Sequence, residues 1–484
     1  MNKTINDADP RRWAALCVLL TGTLLPPLDF FIVNVTLPVI RSQLGASDAL
    51  TQLVVSVYAA AYAVTLILGG RLGDLYGRRK VYIGGMLGFG LASAVCGLAT
   101  SASVLIVGRL LQGVAAAITA PQSLASIHAI FPAEEKSRAL GFYGATFGLA
   151  SVGGQILGGA LVSLDLLGLG WRSVFLINLP VIVVAVPAAM KLLSESKAAD
   201  ARQLDVKGAL LLATGLLALI VPLIEGREQG WPWWCAVLLS ASPLLLLLFW
   251  RYERRVELRG GSPLVVFSLF ESRGLRRSLL ATFFFYALAS FFLIFAVFQQ
   301  SSLGRNALSA GLAILPLGVG FLLGPLLSAR LIKWLGAGTP IVGMAMEALG
   351  LFATAGMALA AHANWLWLPL FFIGLGQGIA LPTLVRLNVD QVPARWAGLA
   401  AGLVNSTLQI SAAIFVAVIG GLFFTLAPDG ASVEAVTSGF AISCAVIGLM
   451  LAIASIVTRR SLAASSSEHK PRVTLKRETA TSKS

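Results

Sequence analysis

Apolar runs of about 20 residues, the length that crosses a bilayer as a helix, recur along the whole chain with only short polar or Gly/Pro-rich breaks between them. About fourteen are found, at 13–35, 49–70, 81–99, 103–126, 139–161, 173–190, 208–224, 232–250, 278–298, 307–328, 338–360, 365–385, 396–425 and 436–458. The 484 residues are 57% hydrophobic and 12% charged, about half the charged share of a soluble domain. So much apolar surface cannot be hidden around a core in water. The chain reads as an all-α integral membrane protein. Connections as short as Thr100–Ala102 and Ala361–Asn364 make their flanking helices antiparallel neighbours.

The net charge of +14 could suggest nucleic acid, but its distribution argues otherwise. With the N-terminus placed in the cytoplasm, 31 of the 36 Lys and Arg residues fall in cytoplasmic segments, and four (Arg41, Arg172, Arg227, Arg305) fall outside. That asymmetry is the positive-inside rule. It supports the span count and predicts both termini on the cytoplasmic side, with no nucleic-acid partner. The apolar run after Arg12 is long enough to span and lacks a clear cleavage site, so it reads as a retained first helix. The four cysteines are far apart, with neither metal-ligand spacing nor a disulfide framework.

The spans group as 6+2+6. Residues 1–190 form one six-helix bundle, 191–275 two additional helices with a charged loop, 276–460 a second six-helix bundle, and 461–484 a polar, disordered tail. The loop Arg251–Arg277 reads as a solvated orientation signal, with a helix running on through Arg-Tyr-Glu-Arg-Arg as the alternative. Gly324–Gly336 faintly echoes Gly69–Lys80, as expected if the halves repeat, and transporters of this plan hold substrate between the halves near the midplane.

Chemistry is constrained by what the spans contain. No Gly-Lys dipeptide occurs, so no phosphate-binding loop of that type is present. Motifs for membrane enzymes are also missing, and the expectation is a non-enzymatic protein with no cofactor and no metal. Asp29 lies about 24 Å along the first helix at 1.5 Å per residue, just after Pro26 and Pro27, which remove two helix hydrogen bonds and predict a kink or local opening. It is either a proton-coupling group or a structural carboxylate, and intramembrane acids favour function. Arg109, which cannot lose its proton, is either part of proton transfer or a structural clamp. Glu347 is a possible second acidic site or a packing residue. Glycines crowd the fifth span, including Gly148, Gly154, Gly158 and Gly159, and allow close helix approach. Candidates for a substrate cavity are Phe30, Phe31, Asn34, Gln112, Phe284, Phe291 and Gln377, although most aromatics of the ninth span, the set that holds Phe284 and Phe291, read as lipid-facing. The stretch Gly69–Lys80, GGRLGDLYGRRK, packs an acid, glycines and four cations between two spans and reads as a cytoplasmic latch.

These features together resemble the major facilitator superfamily, in its 14-helix drug:proton antiporter branch, over nearly the whole chain. The resemblance rests on Leu28–Pro38 (LDFFIVNVTLP), Gly70–Arg79, Arg109 with Gln112 and Gly113, Gly154–Gly159 (GQILGG) and Trp171–Pro180. It implies the major facilitator fold and a rocker-switch exporter of a bacterial inner membrane that exchanges hydrophobic drugs, cationic ones included, for protons; a monomer is expected. Asp29 and Arg109 would then carry proton coupling. Gly70, Asp74, Gly77, Arg78 and Arg79 would form the cytoplasmic gate, and Gly154, Gln155, Gly158 and Gly159 the antiporter helix motif. The motifs differ from the family pattern at Phe31, where the family has Thr, at Leu75 for Arg, and at Gln155 for Pro. An exporter of an endogenous antibiotic, pigment or siderophore and a transport-inactive sensor or scaffold are the alternatives.

Overall fold

The computed structural model describes residues 11–165, 168–197, 205–261, 263–392, 397–428 and 430–468, and every regular element among them is helical. The first half contains α1 (Arg12–Leu44), α2 (Asp48–Tyr76), α3 (Arg78–Gly97), α4 (Ala102–Ile130), α5 (Ala133–Leu164), the single turn α6 (Ser173–Leu176) and α7 (Asn178–Leu192). Two further helices follow, α8 (Val206–Glu228) and α9 (Trp233–Leu258). The second half contains α10 (Arg273–Phe285), α11 (Ala289–Val297), α12 (Ala307–Leu312), α13 (Leu315–Leu335), α14 (Thr339–Leu359), α15 (Trp367–Asp390), α16 (Ala397–Leu426) and α17 (Val433–Glu468).

Among the described residues, 13 helical segments are long and apolar enough to cross a membrane. The expected span at 139–161 falls on α5, whose described apolar part, Gly148–Leu164, is shorter than the required length. Helix starts are set by local side chains. Ser47, Ser101 and Ser272 accept from Leu50 N, Val104 N and Leu275 N at 3.3, 3.4 and 3.2 Å, which satisfies amide groups a helix start otherwise leaves open.

Three expectations are revised. First, α1 runs unbroken through Pro26, Pro27 and Pro38. In the turn before the prolines, Thr23 Oγ1 donates to Leu19 O at 3.1 Å, and Tyr82 of α3 lies against Gly22 with its hydroxyl donating to Val18 O. Second, α17 extends to Glu468, so the expected tail 461–484 begins as helix, and 469–484 lie outside the described residues. Third, the helical alternative holds for the charged run after Trp250, because α9 continues to Leu258. The loop beyond it is not simply solvated. Glu253 Oε2 accepts from Val265 N at 3.1 Å, and Glu257 accepts from Phe267 N and Ser268 N at 2.7 and 3.2 Å.

In each half, close packing joins helices that are apart in the chain as well as some that are consecutive. In the first half α1 lies on α5 and α4, α2 on α4, and α3 on α4 and α7. In the second half α13 and α14 pack on α15, and α17 on α10 and α14. Helix α8 touches α2 of one half and α16 of the other. Helix α9 rests on α8 with only 17% of its most apolar stretch buried, so it presents most of its surface outward. The halves meet along α1–α11, α2–α16 and α5–α12. Two hydrogen bonds join them at the end remote from Gly77: Gln300 Nε2 to Val35 O at 2.9 Å, and Leu308 N to Ser163 Oγ at 3.2 Å.

Candidate functional site

Five buried polar side chains meet inside the first half. Helix α1 contributes Asp29, α3 Ser93, α4 Arg109 and Gln112, and the first turn of α7 Asn178, each no more than 1% exposed. Arg109 Nη1 donates to Asp29 Oδ2, closing an ion pair between α4 and α1. Asp29 Oδ1 accepts from Gln112 Nε2 at 3.1 Å and from Asn178 Nδ2 at 2.9 Å. Both amides also donate to Ser93 Oγ, at 2.8 and 3.2 Å. Gln112 Oε1 accepts from Arg109 Nη1 at 2.9 Å and from the Cys96 thiol at 3.3 Å. Arg109 Nε donates to Val54 O of α2 at 2.9 Å, and its guanidinium carbon lies 4.2 Å from the centre of the Tyr58 ring.

A buried charge pair is tolerated only when further hydrogen bonds satisfy it, and this network supplies them. Arg109 supplies the compensating charge, and amides from α4 and α7 complete the bonding of Asp29 Oδ1. Asp29, Arg109 and Gln112 carry signals in the sequence. Asn178 lies within a stretch that resembled the family, yet nothing in its type or spacing marked it as a partner of Asp29. Ser93 gave no signal at all.

Glycines bring α5 against this site. A Cβ at Gly154 would come within 2.9 Å of Leu28 O, and one at Gly158 within 2.6 Å of Ile32 O, so both press α5 onto the turn of α1 that carries Asp29. Gly159 points the other way, to the second half, where a Cβ would meet Ala307 O at 2.5 Å. Gln155 is 4% exposed, and its carbonyl contacts Gly311 of α12.

The stretch Gly69–Lys80 is almost wholly helical, turning only at Gly77, whose φ of 105° suits glycine. Asp74 pairs with Arg78 at 3.2 Å, and Arg78 Nη1 reaches Ala125 O of α4 at 3.3 Å. Arg78 N donates to Ser196 O at 2.9 Å, and Arg79 N to Glu195 Oε1 at 3.1 Å. Gly70 faces Pro121, Arg79 also donates to Met190 O, and Gln122 Nε2 donates to Gly69 O at 2.6 Å. Arg71 donates to Pro263 O, tying the stretch to the loop after α9. Glu195, Ser196 and Gln122 are thus part of this turn, although the sequence reading did not select them.

The other candidates are spread out. Phe31 stacks edge-on against Phe292 of the second half at 4.7 Å between ring centres, and Phe30 lies 5.3 Å from Phe31. Asn34 is buried and donates to Phe30 O at 2.8 Å. Phe284 is half-buried beside Phe283 and Phe415. Phe291 is fully buried among Phe292, Phe295 and Phe440, which makes it core of the second half. Gln112 belongs to the Asp29 network instead. Gln377 is 4% exposed on α15. Glu347 is fully buried on α14 beside Gly376, and neither of its oxygens has a hydrogen-bond partner.

A model of the Major Facilitator Superfamily matches residues 19–416. The chain is 38% identical over 424 residues to the probable actinorhodin transporter of Streptomyces coelicolor, covering 86% of this chain and 73% of that protein. It is 35% identical to the puromycin resistance protein of Streptomyces alboniger, covering 89% and 86% of the two chains. It is also 34% identical to the multidrug resistance protein Stp of Mycobacterium tuberculosis, covering 82% and 73%. Similar solved structures include a bacterial homolog of the lysosomal transporter Spinster (TM-score 0.66, 17% identity, 95% and 98% covered) and a D-xylose–proton symporter (TM-score 0.64, 14% identity, 92% and 97% covered).

Proposed function

This chain belongs to the major facilitator superfamily, and on that premise we propose that it exports small hydrophobic, drug- or antibiotic-like compounds, including cationic ones, in exchange for protons. The observation that carries the reading is the enclosed Asp29, held by Arg109 and two amides from α4 and α7. A carboxylate so fully provided for inside an apolar bundle is costly to build and is the mark of a proton or ion pathway. The resistance and transport proteins it resembles support a hydrophobic small-molecule cargo.

In this reading the protein is a 14-helix pump of a bacterial inner membrane, arranged 6+2+6, with both termini in the cytoplasm and acting as a monomer. The two bundles rock about a substrate site between them. The cross-half hydrogen bonds at the end away from Gly77 then correspond to a closed outer side. Asp74, Arg78 and their neighbours form the inner gate, which here bonds within the first half. A proton arriving at Asp29 cancels its charge and loosens the ion pair with Arg109. Its departure restores the pair.

Efflux of a fluorescent dye from proteoliposomes with an imposed pH gradient tests this directly. Transport should follow the gradient, stop when an ionophore collapses it, and be lost in Asp29→Asn. Transport that survives both treatments would sink the proton-coupled reading. Export of an endogenous antibiotic is a second reading, supported by the similarity to the actinorhodin transporter; competition of dye efflux by the host's own metabolite extract would favour it.

A further inference from the structure

Nothing in the sequence drew attention to Tyr58. It sits on α2, 2% exposed, with its ring face against the Arg109 guanidinium at 4.2 Å. Its hydroxyl crosses to α1 and donates to Pro26 O at 2.9 Å, three residues before Asp29. On its other sides the ring lies 6.3 Å from Phe30 and 6.3 Å from Tyr62. Tyr62 is half-buried, and Phe30 leads through Phe31, 5.3 Å away, to Phe292 of the second half at 4.7 Å. Tyr58 therefore touches the ion pair on one side and an aromatic series leading to the other half on its opposite side. Helix α4 is held close at this level, since a Cβ at Gly113 would come within 2.5 Å of Tyr58 O.

We propose that Tyr58 is the positioning residue that couples the protonation of Asp29 to substrate bound at the aromatic contact between the halves. This rests on the proton-coupled export reading above. Arg109 Nη2 has no hydrogen-bond partner, so the guanidinium is held by Asp29, Gln112, Val54 O and the Tyr58 face. When Asp29 takes a proton from water, Arg109 loses its anion and the π face of Tyr58 becomes its nearest electron-rich surface. The ring cannot yield freely because its hydroxyl is tethered to Pro26 O. The strain passes to the rings beside it, Phe30 and Tyr62, and from Phe30 through Phe31 to Phe292 of the second half, where substrate would part the two halves. By reciprocity, substrate resting against that series favours the arrangement in which Asp29 is ionised, and its proton returns to water.

The surroundings leave this route clear. The charged and titratable groups around Asp29 are Arg109 from α4, Tyr58 from α2 and Cys96 from α3, which bonds Gln112. Helix α5 meets this turn with Gly154 and Gly158, α7 with Asn178, and α11 with Phe292 against Phe31.

The test measures ethidium affinity of the purified full-length protein in lipid nanodiscs, across a pH series from mildly acidic to mildly alkaline, together with proton release on dye addition. In the native protein affinity should weaken toward acid by at least about fivefold, the lower range of such couplings. Tyr58→Leu removes the ring face and should still bind dye, with the pH dependence flattened to within about twofold and proton release lost. Tyr58→Phe keeps the ring and drops the tether, and should move the midpoint of the pH profile by more than about half a unit. Retention of the native pH dependence in Tyr58→Leu overturns the proposal, and so does an unmoved midpoint in Tyr58→Phe. A native protein that shows neither pH dependence nor proton release overturns the proton-coupled reading itself.

Discussion

Asp29 and Glu347 are both fully buried carboxylates in the middle of apolar helices, one in each half, and their surroundings are opposite. Asp29 receives a guanidinium and two amide donors from α4 and α7, and those donors are themselves fixed by Ser93, Cys96 and Val54 O. Glu347 has no hydrogen-bond partner on either oxygen and packs against Gly376. Burying a polar group without a partner is costly, whereas a satisfied network rigidifies what it joins. The contrast shows that depth within a span does not by itself make a site. What distinguishes Asp29 is that four other residues from three helices are arranged around it.

The comparison can be broken most severely at Arg109. Arg109→Ala should destabilise the protein by about 3–5 kcal/mol, because it strands a buried carboxylate, and should abolish gradient-driven efflux; thermal unfolding in detergent and the proteoliposome assay read the two effects. Asn178→Ala removes one of the two amide donors to Asp29. About 1.5–3 kcal/mol should be lost, as for hydrogen bonds to charged groups, with the pH profile of efflux displaced. An unmoved profile would mean that Asn178 only packs.

Glu347 should respond with the opposite sign. Glu347→Leu takes away two unsatisfied oxygens and should raise stability by about 1–3 kcal/mol, seen as a higher unfolding midpoint with efflux intact. If efflux collapses in a well-folded Glu347→Gln, Glu347 becomes a second proton site and the contrast between the halves disappears.

The smallest effect is expected outside the membrane, where Arg12 bonds Glu135 at 2.7 Å between the starts of α1 and α5. The Arg12 guanidinium holds the Glu135 carboxyl below its ordinary range. Its stabilisation is therefore complete above the usual Glu value of about 4.3, declines below it, and is gone once pH falls through the lower folded value. Glu135→Gln should lower the unfolding midpoint slightly at neutral pH. The gap from the native protein should close on acidification, and a gap independent of pH would refute the ion-pair account.

The sequence by itself determined the helical membrane architecture, because hydropathy and cation bias are local properties that each run carries alone. It also exposed Asp29, Arg109 and Glu347, since a charge within an apolar run is visible without a fold. The local opening it expected at Pro26 and Pro27 does not occur: α1 stays helical through both, since the fixed φ of proline is itself helical. Likewise it placed Gly69–Lys80 between two spans, although the helices run through the stretch and close to within one residue at Gly77. Only the tertiary structure decided which charges are satisfied. Arg109 is 80 residues from Asp29, and Asn178 is 149 residues away. No local pattern encodes such a meeting. It follows from helix packing set by small residues such as Gly113, Gly154 and Gly158, and the same packing leaves Glu347 without a partner.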